Sequence, residues 1–136
     1  MKTIIVTHKP AMNDGEVHVN DLDKIANGSV DNIRLGTTLD FYEKRTELLE
    51  TVVSKLRYGG ELELLGSDIY DVARGLCFCE LDLDAADALL YRGRQSVDTL
   101  QNVVYLLEQL GLEVKIKRIH KYVYFIKCVR PAPGNN

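Results

Sequence analysis

Apolar positions in this chain change their period along its length. Thr3-Ile-Ile-Val-Thr7 is β-branched throughout and Pro10 follows it, which predicts a short buried strand rather than a helix. From Ala11 to Ser29 the turn formers Asn13-Asp14-Gly15, Asn20-Asp21, Asp23 and Asn27-Gly28 leave only Val17, Val19, Leu22 and Ile25 to bury, so the stretch reads as irregular or as one weak strand. Val30 to Leu35 is a predicted strand ending at Gly36, where a backbone can approach a neighbour closely.

Helical spacing is clearest from about Phe41 to Arg57, where Leu48, Leu49, Val52, Val53 and Leu56 form one stripe and Gly59-Gly60 then predicts termination. Glu61-Leu-Glu-Leu-Leu65 alternates as a strand, and Gly66-Ser67-Asp68 leads into a short helix over Ile69 to Leu76, with Asp68 suited to its N-cap. Asp82 or Asp84 caps a second short helix through Leu90. Ser96 caps a longer one with the stripe Leu100, Val103, Val104, Leu107 and Leu110, closed by Gly111. Leu112 to Ile119 and Tyr122 to Arg130 alternate around His120-Lys121 as a terminal antiparallel hairpin. This order predicts an α/β fold: a mostly parallel sheet with helices packed on it and a C-terminal β-hairpin.

Both the order and the residues resemble the C-terminal half of class I S-adenosylmethionine-dependent methyltransferases. Asn20-Asp-Leu-Asp23 and Asn27-Gly-Ser-Val-Asp-Asn-Ile33 are similar to that family's approach to its fourth strand, and Lys55-Leu-Arg-Tyr-Gly-Gly-Glu-Leu-Glu-Leu64 to its helix–strand junction. The likeness spans residues 17–130 and implies a truncated Rossmann-like fold. It also implies that the family's Gly-rich cofactor loop would follow the first strand, yet His8-Lys-Pro-Ala-Met-Asn-Asp-Gly15 stands there without Gly-x-Gly. No room remains before Val30 for two further strand–helix units, so the cofactor half is expected to be lost or to reside on another chain.

With 136 residues, 46% hydrophobic and 27% charged, the chain fits one domain over residues 1–130, followed by a flexible tail over 131–136. A formal net charge of −3 gives no argument for a nucleic-acid partner or an anionic membrane surface. Apolar runs are far below the roughly 18 residues of a membrane span, and three cysteines, an odd count, fit reduced thiols; the chain is expected to be cytoplasmic. Cys77 and Cys79 are read as core packing, and His18, Asp21 and Asp23 as turn residues rather than metal ligands.

Asp68 ends the central strand at its carboxyl side, where open α/β sheets collect ligands, and Arg92 and Arg94 flank Gly93 before a helix start, an arrangement able to bind an anion. Lys115, Lys117, Arg118, Lys121, Lys127 and Arg130 on the hairpin are read as solubilising an outer sheet. The expected function is a truncated methyltransferase-like module for binding or assembly, non-catalytic alone and without a cofactor. The alternative is a small S-adenosylmethionine-dependent methyltransferase with a degenerate cofactor site near Asp21, Gly36 and Asp68. Truncation would leave Thr3 to Thr7 as a sheet edge, covered either by the Ala11 to Ser29 segment or by a partner, with a homodimer favoured.

Overall fold

The computed structural model of the chain describes residues 1–133. Its strands and helices run β1 (Thr3–Thr7), β2 (Glu16–His18), β3 (Val30–Gly36), α1 (Arg45–Lys55), β4 (Leu56–Ser67), α2 (Ile69–Cys77), α3 (Leu83–Leu90), α4 (Leu100–Gln109), β5 (Glu113–His120) and β6 (Val123–Val129). They form one six-stranded sheet of order β2-β1-β3-β4-β6-β5. β2, β1, β3 and β4 are mutually parallel, while β6 is antiparallel to both β4 and β5. The α/β architecture with a C-terminal antiparallel hairpin is therefore as the pattern predicts. Residues 134–136, the end of the expected tail, lie outside the described residues.

Alternation along the strands sorts the two faces. Ile4 and Val6 of β1, Ile33 and Leu35 of β3, Leu62 and Leu64 of β4, and Tyr124, Ile126 and Cys128 of β6 are buried in one core with Leu49, Val52, Val53 of α1 and Val103, Leu107 of α4. Burial raises the Cys128 thiol to about 12. The opposite face carries the cross-strand row Ile5, Arg34, Glu63 and Lys127. Glu63 there lies 3.8 Å from Arg34 and 3.9 Å from Lys127, and Glu61 3.3 Å from Lys127. β1 is thus buried on one side only, with Ile5 40% exposed.

The segment after β1 covers its edge within the chain. Val6 pairs with Val17, Thr7 with His18, and Ile5 donates its amide to the Gly15 carbonyl at 2.8 Å. The Glu16 carboxylate shapes this loop by accepting from the Asn13 side chain (2.9 Å) and the Met12 amide (3.0 Å), bonds that hold it below the usual carboxylate range. A 3-10 turn over Val19–Lys24 then buries Leu22, while Val17, Val19 and Ile25 pack against the core. Few apolar residues suffice here because a short strand needs only one inward row.

Two boundaries differ from the periodic pattern. Thr38–Phe41 forms a separate 3-10 turn and Tyr42 is extended, so α1 starts at Arg45 rather than at Phe41. Gly59-Gly60 lies inside β4 instead of ending the helix. Five residue steps from Leu56 to Glu61 face two from Val30 to Asn32, and this bulge needs Gly59 at φ +85° and no side chain at Gly60, where a Cβ would come within 2.9 Å of the Asp31 carbonyl oxygen. Arg130 caps the end of α1 in its place, donating to the carbonyls of Leu56 at 2.6 Å and Val53 at 3.1 Å.

Cys77 and Cys79 also depart from expectation. Both are exposed: α2 ends at Cys77, and Cys79 follows in a turn at φ +57°. No helix among the described residues is long and apolar enough to cross a membrane.

Leu56, fully buried at the head of β4, is expected to cost about 2–5 kcal/mol when replaced by alanine, read from urea unfolding. A Cβ on Gly66 would strike the Tyr124 ring, so Gly66→Ala is expected to lose about 1–3 kcal/mol by overpacking in the same assay.

Candidate functional site at the carboxyl edge

Four parallel strands end on one side of the sheet, the side on which open α/β sheets hold ligands. After β3, Gly36 at φ +56° swings the chain into the Thr38–Phe41 turn, and the Thr38 hydroxyl fixes that turn by donating to the Val6 carbonyl at 3.0 Å. This places Asp40, 3% exposed, against the end of β4, where its carboxylate accepts the Ser67 amide at 3.0 Å.

A strap formed by residues 94–98 crosses the same edge. The Asp40 carbonyl accepts the amides of Gln95 (2.9 Å) and Ser96 (3.1 Å), and the Ser96 hydroxyl donates to the Leu39 carbonyl at 3.1 Å. Arg94 turns inward: its Nε lies 3.5 Å from the Asp40 carboxylate, its Nη1 donates to the Ala88 carbonyl at 2.9 Å, and its guanidinium sits 4.9 Å from the centre of the Phe41 ring. His8 stacks flat on Phe41, with centroids 3.9 Å apart. At the far end of the strap, Arg45 of α1 meets Asp98 at 2.8 Å and donates to the Val97 carbonyl at 3.3 Å.

Asp68 completes the edge. One carboxylate oxygen accepts the Asp71 amide in the first turn of α2 and the other the Leu100 amide at the start of α4, both at 2.8 Å. Thr99, rather than Ser96, is the N-cap of α4, accepting the Asn102 amide at 3.1 Å. The hydroxyl of Ser96 is already engaged in the strap.

Asp21, Gly36 and Asp68 all lie at this carboxyl edge, Gly36 as the last residue of β3 and the two aspartates after β2 and β4. Asp21 pairs with Lys24 at 3.1 Å, Gly36 has open space where a Cβ would project, and Asp68 is the double cap just described. Arg92 and Arg94 are not brought together. Arg92, at φ +53°, points outward and pairs with Asp87 at 3.2 Å, while Arg94 is held within the protein. His18 caps the 3-10 turn over Val19–Lys24 by accepting the Asn20 amide at 3.1 Å, and among the described residues there is no group of three or more His, Cys, Asp or Glu able to hold a metal ion. His8, Asp40, Phe41, Arg45 and Asp98 are site residues that sequence patterning misses, since each matters through a partner far along the chain.

Burial raises the Asp40 pKa, against the opposing Ser67 hydrogen bond and Arg94 charge, and nearby Asp98 adds to the rise. Burial lowers that of His8, helped by Lys9, Arg94 and His18. Burial likewise raises Tyr124, with Asp40 and Asp98 contributing. A carboxyl whose folded pKa exceeds its unfolded value binds its proton more readily in the folded state, so stability falls as pH rises between the two values. The urea midpoint of the parent is therefore expected to fall relative to Asp40→Asn as pH rises above the ordinary aspartate value of 3.8. A difference that stays constant over that rise would show that Asp40 titrates alike in both states.

Neither a protein-family model nor a curated protein matches this sequence. Solved structures do match its fold. An O-methyltransferase family protein from Burkholderia thailandensis superposes with a TM-score of 0.63 at 14% identity, over 88% of this chain and 37% of that one. Human N-acetylserotonin methyltransferase, in complex with SAM, gives 0.61 at 16% identity over 96% and 40%. A SAM-dependent methyltransferase from Methanosarcina mazei gives 0.60 at 14% identity over 91% and 73%. The chain thus spans about two fifths of the first two, and it carries part of a methyltransferase-like α/β fold.

Proposed function

We propose that this chain is a methyltransferase-like module for binding or assembly that does not transfer methyl groups by itself. The observation that carries this reading is the strap: residues 94–98 and the His8–Phe41 stack occupy the carboxyl edge where a ligand of this fold would lie. The connection after β1 supports it, since residues 8–15 run directly into a paired strand and present no helix N-terminus to that edge. The amide of Leu100, at the start of α4, is taken by Asp68. The residues present therefore do not fit S-adenosylmethionine. Asp68 spends both oxygens on helix caps, Asp21 is paired with Lys24, and Arg94 is engaged by Asp40 and a carbonyl.

Thermal melting with millimolar S-adenosylmethionine or S-adenosylhomocysteine tests the reading. A ligand at about 100 times its Kd adds roughly 2.7 kcal/mol, a shift of several degrees for a domain of this size. No shift is expected. A saturable rise in Tm would overturn the proposal in favour of a small S-adenosylmethionine-dependent enzyme using Asp21, Gly36 and Asp68.

A further inference from the structure

The open edge of the sheet, β5, differs from the rest of the surface. It is eight residues long, pairs only with β6 among the described residues, and is exposed from Lys115 to His120. Beside it, two adjoining cavities of about 510 and 460 Å³ share Leu100 and Gln101 and form a groove between α4 and the strand. Apolar groups line the groove beside Asp71 and Glu108 yet remain open to solvent: Tyr70 is 72% exposed, Tyr105 58% and Ile119 41%, so it is the apolar side chains of an occupant that fit here and not its carboxylates.

Charge on this edge is one-sided. Lys115 is paired with Glu113 at 2.8 Å, but among the described residues Lys117, Arg118 and Lys121 form no ion pair, although the chain as a whole is net negative. On the neighbouring sheet face, by contrast, Glu61 and Glu63 neutralise Lys127 and Arg34. Lysines alone would blunt an edge against pairing, but Ile116 and Ile119, each 41% exposed, oppose that reading.

We propose that β5 takes an extended acidic segment of a partner protein as an added strand, with the segment's apolar side chains in the α4 groove. Main-chain hydrogen bonds to the free edge supply affinity, and alternation supplies specificity. Lys117 and Ile119 share the groove side, whereas Ile116, Arg118 and His120 face the other way, so a segment whose β-branched residues enter the groove beside Ile119 sets its alternate carboxylates on the outer side, beside Arg118. Charge argues against a second copy as the occupant. Two antiparallel β5 strands paired about a two-fold axis at Lys117 would set Lys117 against its own copy, and like charges across a strand pair destabilise it. This inference deepens the binding-module reading by naming its surface and its partner's chemistry.

The test is amide exchange and titration of the full chain with a short peptide alternating glutamate and valine, beside its lysine–valine counterpart and a glutamate–valine peptide with a central proline. Only the first is expected to bind, to protect β5 amides by about tenfold or more, and to weaken as salt is raised through the screening range. Lys117→Gln combined with Arg118→Gln, two exposed positions, is expected to weaken binding about tenfold or more with the melt unchanged. Equal binding of the lysine peptide, no protection at β5, or poly(U) displacing the peptide at lower concentration would each overturn the proposal. So would a dimer in light scattering that the double variant dissociates. Peptide binding at β5 in a protein that S-adenosylhomocysteine also stabilises would sink the proposed function and leave this surface standing. A protein that binds neither would sink this surface alone.

Discussion

Both oxygens of one carboxylate, Asp68, hold two helices to the end of the central strand. Its partners are 3 and 32 residues away, so it joins the local cap of α2 to the start of α4, and the Ile69 amide bonds the Asp98 carbonyl beside it. Helix N-termini carry unpaired amides and partial positive charge, and a buried carboxylate between two of them satisfies both. From this junction the position of the strap follows, because Asp98 is drawn to β4 while Arg94 reaches back to Asp40.

The same junction takes up helix amides at the carboxyl edge of the sheet. Anion-binding crevices in α/β proteins depend on helix amides left free for a ligand. Here those amides meet the protein's own carboxylate and hydroxyl, Asp68 and Thr99. Away from this junction lie a sheet face of matched charges and an edge strand on which Lys117 and Arg118 form no ion pair among the described residues.

Local period made much of the fold legible. The stripe from Leu100 to Leu107, the alternation of Tyr124, Ile126 and Cys128, and Asp68 and Asp82 as caps all act within a few residues, where spacing alone carries the signal. The site was less legible because its pairs are distant: Asp40 and Arg94 are 54 residues apart, Arg45 and Val97 52. Arg92 and Arg94 look alike in sequence, yet positive φ at Arg92 and Gly93 sends one outward and one inward. Gly59-Gly60 read as a stop, since nothing local distinguishes a helix end from a bulge one turn into the next strand.

The strand order also bears on how the chain is made. β6 lies between β4 and β5 although it comes last among them, so a nascent chain has completed residues 56–67 long before residues 123–129 can pair with them. During that interval β4 keeps one side unpaired, with Leu62 and Leu64 still lacking the neighbours Cys128 and Ile126. The guanidinium that caps α1 belongs to Arg130 and arrives later still. Synthesis therefore passes through a stage in which the future centre of the sheet is an apolar edge open to pairing with another chain.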